Sequence, residues 1–521
     1  MSGQRVESRQ APDGGAPVAA GEAVFLHDVV DIAAVQDPVA HAVSDEKGTW
    51  TYQELADRSR AYARWLTDRG VAPGDRVAAV ASADREAVAL AYACSRAGAT
   101  FVPLNPRTPR YQFEQITKDA EPALLLAEGE QLGWSSVPAY GIMDSAAEAA
   151  ATYRRPDGPT GDPGPADRDG ASPSAPGLLL YTSGSTAQPK AVISRHSQVL
   201  FAARAIADRL RYRSSDVVYC ALPLSFDYGL YQAFLCALSG AELVLADAAK
   251  DGVRMLGRMR GRGATVVPLV PSLATLLLSL AGQGRPSADI RLFTNTGEAL
   301  QPAAADRLRE RFRGASVHMM YGTTECKRIS VMEADGDRDR PGSVGRPLDG
   351  TSVRIVGPAG ERLEPGETGE ITVRGPHVMD GYWRAPEQTA RTYRTDPDSG
   401  ERVLHTGDFG WLDADGYLYF EGRRDQIFKH RGVRVSTVEI EAAAQTLPGV
   451  EGAVVFPSFV AGDALLCARG TATPTEIAAG LRSLLEPAKV PRLIRVLDGF
   501  PLTANGKTDR RRLAAELGED G

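Results

Sequence analysis

The decapeptide Tyr181-Thr-Ser-Gly-Ser-Thr-Ala-Gln-Pro-Lys190 gathers aliphatic hydroxyls, a glycine and a lysine in one short stretch. It follows Gly177-Leu-Leu-Leu180, a run apolar and short enough for a buried strand, and precedes a segment that reads as helix. A backbone freed at Gly184, the hydroxyls of Thr182, Ser183, Ser185 and Thr186, and the ammonium of Lys190 suit a loop that wraps a polyanion such as a chain of phosphates. The spacing G-x-x-x-x-G-K-[ST] does not fit, because Lys190 follows Pro189 and is followed by Ala191, so a P-loop kinase or GTPase is excluded. Taken alone, such a stretch is more often a plain surface turn.

Four further segments follow it in order: Tyr321-Gly-Thr-Thr-Glu325, His405-Thr-Gly-Asp408, Gly422-Arg-Arg-Asp425 through Arg431-Gly432, and Pro501-Leu-Thr-Ala-Asn-Gly-Lys507. Together with the loop they resemble the ANL superfamily of adenylate-forming enzymes, which includes acyl-CoA synthetases, adenylation domains of peptide synthetases and luciferases. The five pieces span most of the chain, and their shared order makes chance agreement improbable where any single one would not.

That resemblance implies a reaction in which a carboxylate attacks the α-phosphate of ATP, pyrophosphate leaves and an acyl adenylate remains. It assigns Thr182, Ser183, Gly184, Ser185, Thr186 and Lys190 to the phosphates, and the backbone of Gly297-Glu298-Ala299 to the border of the adenine. It gives Tyr321 adenine stacking beside Gly322, Thr324 a hydrogen bond to the α-phosphate, and Glu325 the Mg2+ that bridges the phosphates, a hard cation suited to a carboxylate oxygen. Asp408 and Arg423 are implied ribose contacts, and Lys507 the cation that bridges carboxylate and phosphate during adenylation. In the second half-reaction a small C-terminal domain is implied to turn about Asp425 and to exchange Lys507 for the segment around Lys429 to Val435. The acceptor is then a phosphopantetheine thiol, on coenzyme A or on a carrier protein. The loop departs from the family's usual glycines at Ala187 and Ala191, which stiffens it.

Substrate choice turns on Leu224-Ser-Phe-Asp-Tyr-Gly-Leu-Tyr-Gln232. An apolar, helix-like run that holds Asp227 needs a partner for that carboxylate, either in the fold or as a cationic group of the substrate. In amino-acid-activating members a Phe-Asp pair at this place binds the amine, and the chain resembles stand-alone amino acid–carrier protein ligases of polyketide and macrolactam pathways. Tyr231, Thr296, Thr323, Lys327 and Arg328 are expected to line the same pocket. The two cations either pair a substrate side-chain carboxylate, which points to an aspartate-like β-amino acid, or neutralise Asp227 and the phosphates, which leaves a small α- or β-amino acid. An acyl-CoA ligase with an apolar acyl site is the alternative enzyme.

The elements that must hold these groups read as α/β. Strand-like Arg76-Val-Ala-Ala-Val80, Leu124-Leu-Leu126, Ala241-Glu-Leu-Val-Leu245 and Ala264-Thr-Val-Val-Pro268 alternate with helical patterns, so parallel-sheet subdomains are expected. From Val353 the texture turns to short strands, as in Gly369-Glu-Ile-Thr-Val373 and Gly416-Tyr-Leu-Tyr-Phe420. The expected organisation is a disordered tail over 1–20, an adenylation core over 21–424 with a mobile Pro/Gly-rich connection near 156–176, and a mobile α+β domain over 425–521, consistent with 521 residues being too many for one core.

Composition excludes several classes. No apolar run reaches the about 18 residues of a membrane helix, and no export signal precedes the core, so the expected location is the cytoplasm. Five scattered cysteines without a C-x-x-C pair argue against disulfides and zinc. A net charge of -7 disfavours nucleic acid, although the runs Arg254 to Arg262 and Arg307 to Arg313 read either as solvated helix faces or as docking surface for an acidic carrier. Because the chain ends soon after Lys507, a carrier domain is expected in trans.

Overall fold

The computed structural model describes residues 23–80, 82–153, 172–182, 190–282, 289–396, 399–423, 427–430, 433–460, 463–486, 489–503 and 507–519. Ser183, Gly184, Ser185, Thr186 and Asp425, the tail 1–20 and most of 156–176 lie outside these residues.

Apolar runs without alternation form strands covered on both faces. Arg76–Val80, Leu124–Ala127 and Thr100–Leu104 belong to a seven-stranded sheet in the order Gly381–Tyr382, Lys190–Arg195, Pro176–Thr182, Thr100–Leu104, Arg76–Val80, Leu124–Ala127, Ala139–Gly141. The last five are parallel and the first two antiparallel. A nine-stranded sheet is parallel from Ser316–Tyr321 through Leu292–Asn295, Val266–Leu269, Val217–Cys220 and Glu242–Leu245 to His41–Asp45, with antiparallel strands at both edges.

The segment after the hydroxyl-rich loop differs from expectation. Lys190–Arg195 is a strand that pairs antiparallel with Pro176–Thr182, and the helix begins only at His196. Ala191-Val-Ile supplies two β-branched residues, with Ala191 and Val192 buried and Ile193 half-buried, which favours the pleated sheet over a helix. The loop therefore connects the two strands of a hairpin.

A third sheet is antiparallel, in the order Ser352–Val356, Gly369–Arg374, Arg402–Leu412, Tyr393–Thr395, with Leu418–Arg423 also paired to Arg402–Leu412. Beyond it, strands Val450–Val460, Asp463–Gly470 and Leu493–Leu497 carry helices Thr437–Gln445, Pro474–Leu484 and Arg510–Glu519 around apolar clusters drawn only from residues 428–517. Helix Pro474–Leu484 opens with proline at its first turn and a reciprocal Thr473/Glu476 capping box, so its start is set locally. Among the described residues no helix is long and apolar enough to cross a membrane.

Two buried histidines couple this fold to pH. His196 meets Phe25 edge-on at 5.4 Å, and His377 stacks on Phe201 at 5.5 Å. Burial pushes both imidazoles down to about 4. The unfolded chain binds these protons near pH 6.5, so stability is intact above that value, falls as pH drops towards about 4 and then levels. Thermal melts between pH 7 and 4 are expected to show this decline, and His377→Asn to flatten it.

Candidate active site

Thr182, Leu269, Asn295 and Tyr321 are each the last residue of a strand whose neighbours in the sheets run largely parallel, and Thr182, Asn295, Tyr321 and Pro271, just beyond Leu269, line one cavity of about 2170 Å3. Crevices outside the carboxyl ends of parallel strands are where α/β sheets hold ligands. The C-terminal unit closes the other side with Glu441, Phe500, Leu502, Lys507 and Arg510.

On one wall, the Tyr321 hydroxyl donates to Asp408 Oδ2 at 2.6 Å and Arg423 Nε donates to Oδ1 at 3.0 Å. Asp408 and Arg423 face each other across paired strands. Burial pushes the Asp408 carboxyl above its ordinary range, opposed by the Arg423 charge and the Tyr321 hydrogen bond. The Tyr321 ring lies 5.3 Å from Phe420. Phe420 also lines the cavity, a position that sequence reading treated only as part of a strand.

The turn after Tyr321 is sterically fixed. A Cβ on Gly322 would stand 2.0 Å from the Lys327 carbonyl, and Lys327 adopts φ +63°, the left-handed region. Lys327 Nζ donates to the Thr324 carbonyl at 2.9 Å, and Thr323 Oγ1 meets Cys326 Sγ at 3.7 Å. Glu325 lines the cavity, and its Oε1 accepts the Tyr382 hydroxyl at 2.7 Å. Tyr382 was not singled out by the sequence; the signal was an aromatic pair directly after a glycine in Asp380-Gly-Tyr-Trp383. Among the described residues no group of three His, Cys, Asp or Glu is placed to hold a metal. Glu325 keeps acceptor capacity on a two-oxygen carboxylate. A single carboxylate in a cavity fits Mg2+, which is held by one or two carboxylates together with substrate phosphates and water.

Thr182 and Lys190 sit at the two ends of the hairpin loop, and both line the cavity. Lys190 Nζ lies 5.6 Å from the centre of the Tyr382 ring. Lys429 pairs with Arg434 in the two-stranded ladder Ile427–His430 and Val433–Ser436.

A second cluster lies deeper. Asp227 is the first residue of helix Asp227–Ser239 and lines the cavity with Thr296, Lys327 and Arg328. Lys327 and Arg328 are only 2% and 6% exposed. Arg328 Nη1 donates to Thr296 Oγ1 at 2.6 Å and its guanidinium stands 5.4 Å over the Tyr228 ring, yet its buried Nε has no hydrogen-bond partner. Burial lowers the pKa of both cations, and the Asp227 charge is the first influence that raises it again. Tyr231 lies behind this wall, buried, with a hydroxyl that also lacks a hydrogen-bond partner.

Lys507 reaches the junction of the two regions. Its Nζ stands 5.1 Å over the Phe226 ring, and its Cε would lie 3.1 Å from a Cβ on Gly297. Gly297 has φ +89°, a conformation that favours glycine, and a Cβ there would press on the Lys507 side chain. Gly297→Ala is expected to displace Lys507 and reduce pyrophosphate release by about tenfold or more, as small misplacements of reacting groups do. Glu298 and Ala299 line the same edge, and burial raises the Glu298 carboxyl against the opposing charge of Lys507.

The arginine runs are partly absorbed by the fold. Arg258 pairs with Glu46 at 2.9 Å and with Asp251, while Arg309 pairs with Asp306, Asp335 and Asp337. Arg254, Arg260 and Arg307 remain exposed.

Residues 30–383 match the family model described as AMP-binding enzyme. Enterobactin synthase component F of Escherichia coli (strain K12) is 32% identical over 515 residues, which cover 94% of this chain and 39% of that protein. The chain thus spans about two fifths of the length of that curated relative. Among solved structures, VinN is 42% identical with a TM-score of 0.69, covering 76% of this chain and 98% of that one, and it has been solved with L-aspartate and with 3-methylaspartate. MatB from Rhodopseudomonas palustris, solved with ATP bound, is 26% identical with a TM-score of 0.80 over 95% of this chain and 99% of that one.

Proposed function

Because the chain belongs to the AMP-binding enzyme family, we propose that it is an AMP-forming, adenylating ligase and that its substrate is an aspartate-type amino acid, bearing one amine and a second carboxylate beside the one that reacts. The observation that carries this reading is the joint presence of Asp227, Lys327 and Arg328 on one wall, with the Arg328 Nε buried and lacking a hydrogen-bond partner. Asp227 can answer an ammonium, and a carboxylate of the substrate can take the guanidinium as a charge-assisted acceptor. The complexes of VinN with L-aspartate and 3-methylaspartate support the same class.

In this reading an oxygen of the reacting carboxylate attacks the α-phosphorus of ATP, the bond to the bridging oxygen breaks, and pyrophosphate leaves. Tyr321 and Phe420 flank the adenine, Asp408 and Arg423 take the ribose hydroxyls, and Thr324 and the hairpin loop ending at Lys190 hold phosphate oxygens. Glu325 would hold Mg2+, which would supply charge neutralisation at the phosphates when bound. Lys507 supplies a compact cation between carboxylate and α-phosphate where negative charge concentrates. The unit from 425 onward then turns about Asp425, Lys507 withdraws, and the strand bearing Lys429 takes its place. A phosphopantetheine sulfur attacks the acyl carbon and AMP leaves. The acceptor we favour is a separate carrier protein; free coenzyme A is the alternative.

The test is pyrophosphate release with ATP and Mg2+ across aspartate-type, small neutral, β-amino and fatty acids, followed by transfer to a holo-carrier or to coenzyme A. Release confined to amino acids with a second carboxylate is expected. Equal release with alanine and aspartate would remove the assignment of Arg328, and release with fatty acids alone would make Asp227 structural.

A further inference from the structure

The Tyr382 hydroxyl donates to the Glu325 carboxylate at 2.7 Å. The strand Gly381–Tyr382 pairs with Lys190–Arg195 so that Tyr382 lies opposite Val192. In an antiparallel ladder the residue two positions from a direct partner lies on the same face as its diagonal neighbour, so the register puts the Tyr382 ring beside Lys190. The observed 5.6 Å from Lys190 Nζ to the ring centre agrees with that geometry.

The backbone at Tyr382 is locked from several sides. Trp383 N donates to the Ala191 carbonyl at 2.8 Å and Tyr382 N donates to Thr389 Oγ1 at 2.9 Å. Tyr393 packs edge-on at 5.8 Å. Gly381 has φ +140°, and a Cβ there would stand 2.3 Å from Thr389 Cγ2, so the chain can approach the helix Pro386–Thr392 only with glycine at this position. On the carboxylate side, Met379 N donates to the Glu325 carbonyl at 3.0 Å. The same short segment therefore grips Glu325 at its backbone and at its side chain.

A buried tyrosine that satisfies a carboxylate is ordinary packing. What separates this one is that both ends of the contact line the cavity and that its ring also carries the lysine at the end of the hairpin loop. We propose that Tyr382 is a positioning residue that orients the Glu325 carboxylate for a divalent cation and ties that orientation to the Lys190 end of the phosphate loop. The inference rests on Glu325 being the metal carboxylate.

The experiment is a titration of Mn2+ by electron paramagnetic resonance against the full chain with a non-hydrolysable ATP analogue, with melts recorded for every variant. Partners that orient a metal ligand typically change metal affinity by about 10- to 100-fold. Tyr382→Phe keeps the ring under Lys190 and removes only the hydroxyl. It is expected to weaken Mn2+ binding by about tenfold, to leave metal-free analogue binding unchanged, and to raise the Mg2+ concentration needed for half-maximal rate while kcat recovers at saturating Mg2+. Tyr382→Leu, which also removes the ring, is expected to weaken binding of the analogue itself. Unchanged Mn2+ affinity in Tyr382→Phe alongside a loss in Glu325→Gln would overturn the positioning role and leave the metal assignment standing. Wild-type Mn2+ affinity in Glu325→Gln would overturn the metal assignment itself. Equal weakening of analogue and Mn2+ binding in Tyr382→Phe would mark a general packing loss and also overturn the proposal.

Discussion

Lys507→Ala is expected to slow adenylate formation by about 10²- to 10³-fold, the usual loss when one preorganised group facing developing charge is removed, while transfer from a supplied aminoacyl adenylate to the thiol stays near wild type. The contrast follows from how the side chain is delivered. Thr503 N donates to the Lys507 carbonyl at 2.7 Å, Lys507 N donates to Thr503 Oγ1 at 3.2 Å, and Leu502 bridges Thr508, and these contacts fix Lys507 with its ammonium at Phe226 and Gly297. In the proposed cycle Lys507 has withdrawn before the thiol step. Pyrophosphate exchange reports the first half-reaction and single-turnover thioester formation the second; equal losses in both would refute the division of labour.

The same side chain carries a pH prediction. Burial lowers the Lys507 ammonium below the ordinary lysine range, with Glu298 and Asp227 opposing the shift. A cation with a lowered pKa loses its charge as pH rises through that value, so the rate of adenylation should fall on the alkaline side earlier than a solvated lysine would permit. Lys507→Arg cannot lose its charge in this range. Its residual activity should therefore lack the alkaline limb, whatever its absolute rate.

Much of the scaffold was legible because it depends on local pattern. Arg76–Val80 and Leu124–Ala127 are apolar runs between helical stretches, and a parallel sheet covered on both faces produces that pattern. Lys190–Arg195 was not legible, since a short apolar run after a loop fits helix and strand alike and only pairing with Pro176–Thr182 and Gly381–Tyr382 decides it. Motif residues could be named from the family resemblance, but their partners could not. Arg328 meets Thr296 from 32 residues away, and Tyr382 meets Glu325 from 57. Such contacts are set by loops leaving different strands, and no window of sequence contains both members.

Arg328→Met is expected to abolish preference for the dicarboxylic substrate. Removing one partner of a buried, hydrogen-bonded charge pair typically costs about 2 to 5 kcal/mol, so kcat/KM for an aspartate-type acid should fall by roughly 30- to 5,000-fold. For a small neutral amino acid the same substitution removes a desolvated cation that has no substrate carboxylate to pair with, and its kcat/KM should stay level or rise. The ratio between the two substrates is the diagnostic quantity, because it cancels any general damage to the enzyme. The competing role for Arg328 is to balance Asp227 and the phosphates, and the Asp227 charge does act on both Lys327 and Arg328. That role predicts a different outcome: loss for every amino acid in proportion, with a raised KM for ATP. Asp227→Ala separates the readings further. Under either one it removes the partner of the substrate ammonium, and it also leaves two nearly buried cations, Lys327 and Arg328, without the charge that opposes them. Activation of every amino acid should therefore collapse in Asp227→Ala, and a simple dicarboxylic acid without an amine, bound by Arg328 and Lys327 alone, should become the best remaining substrate.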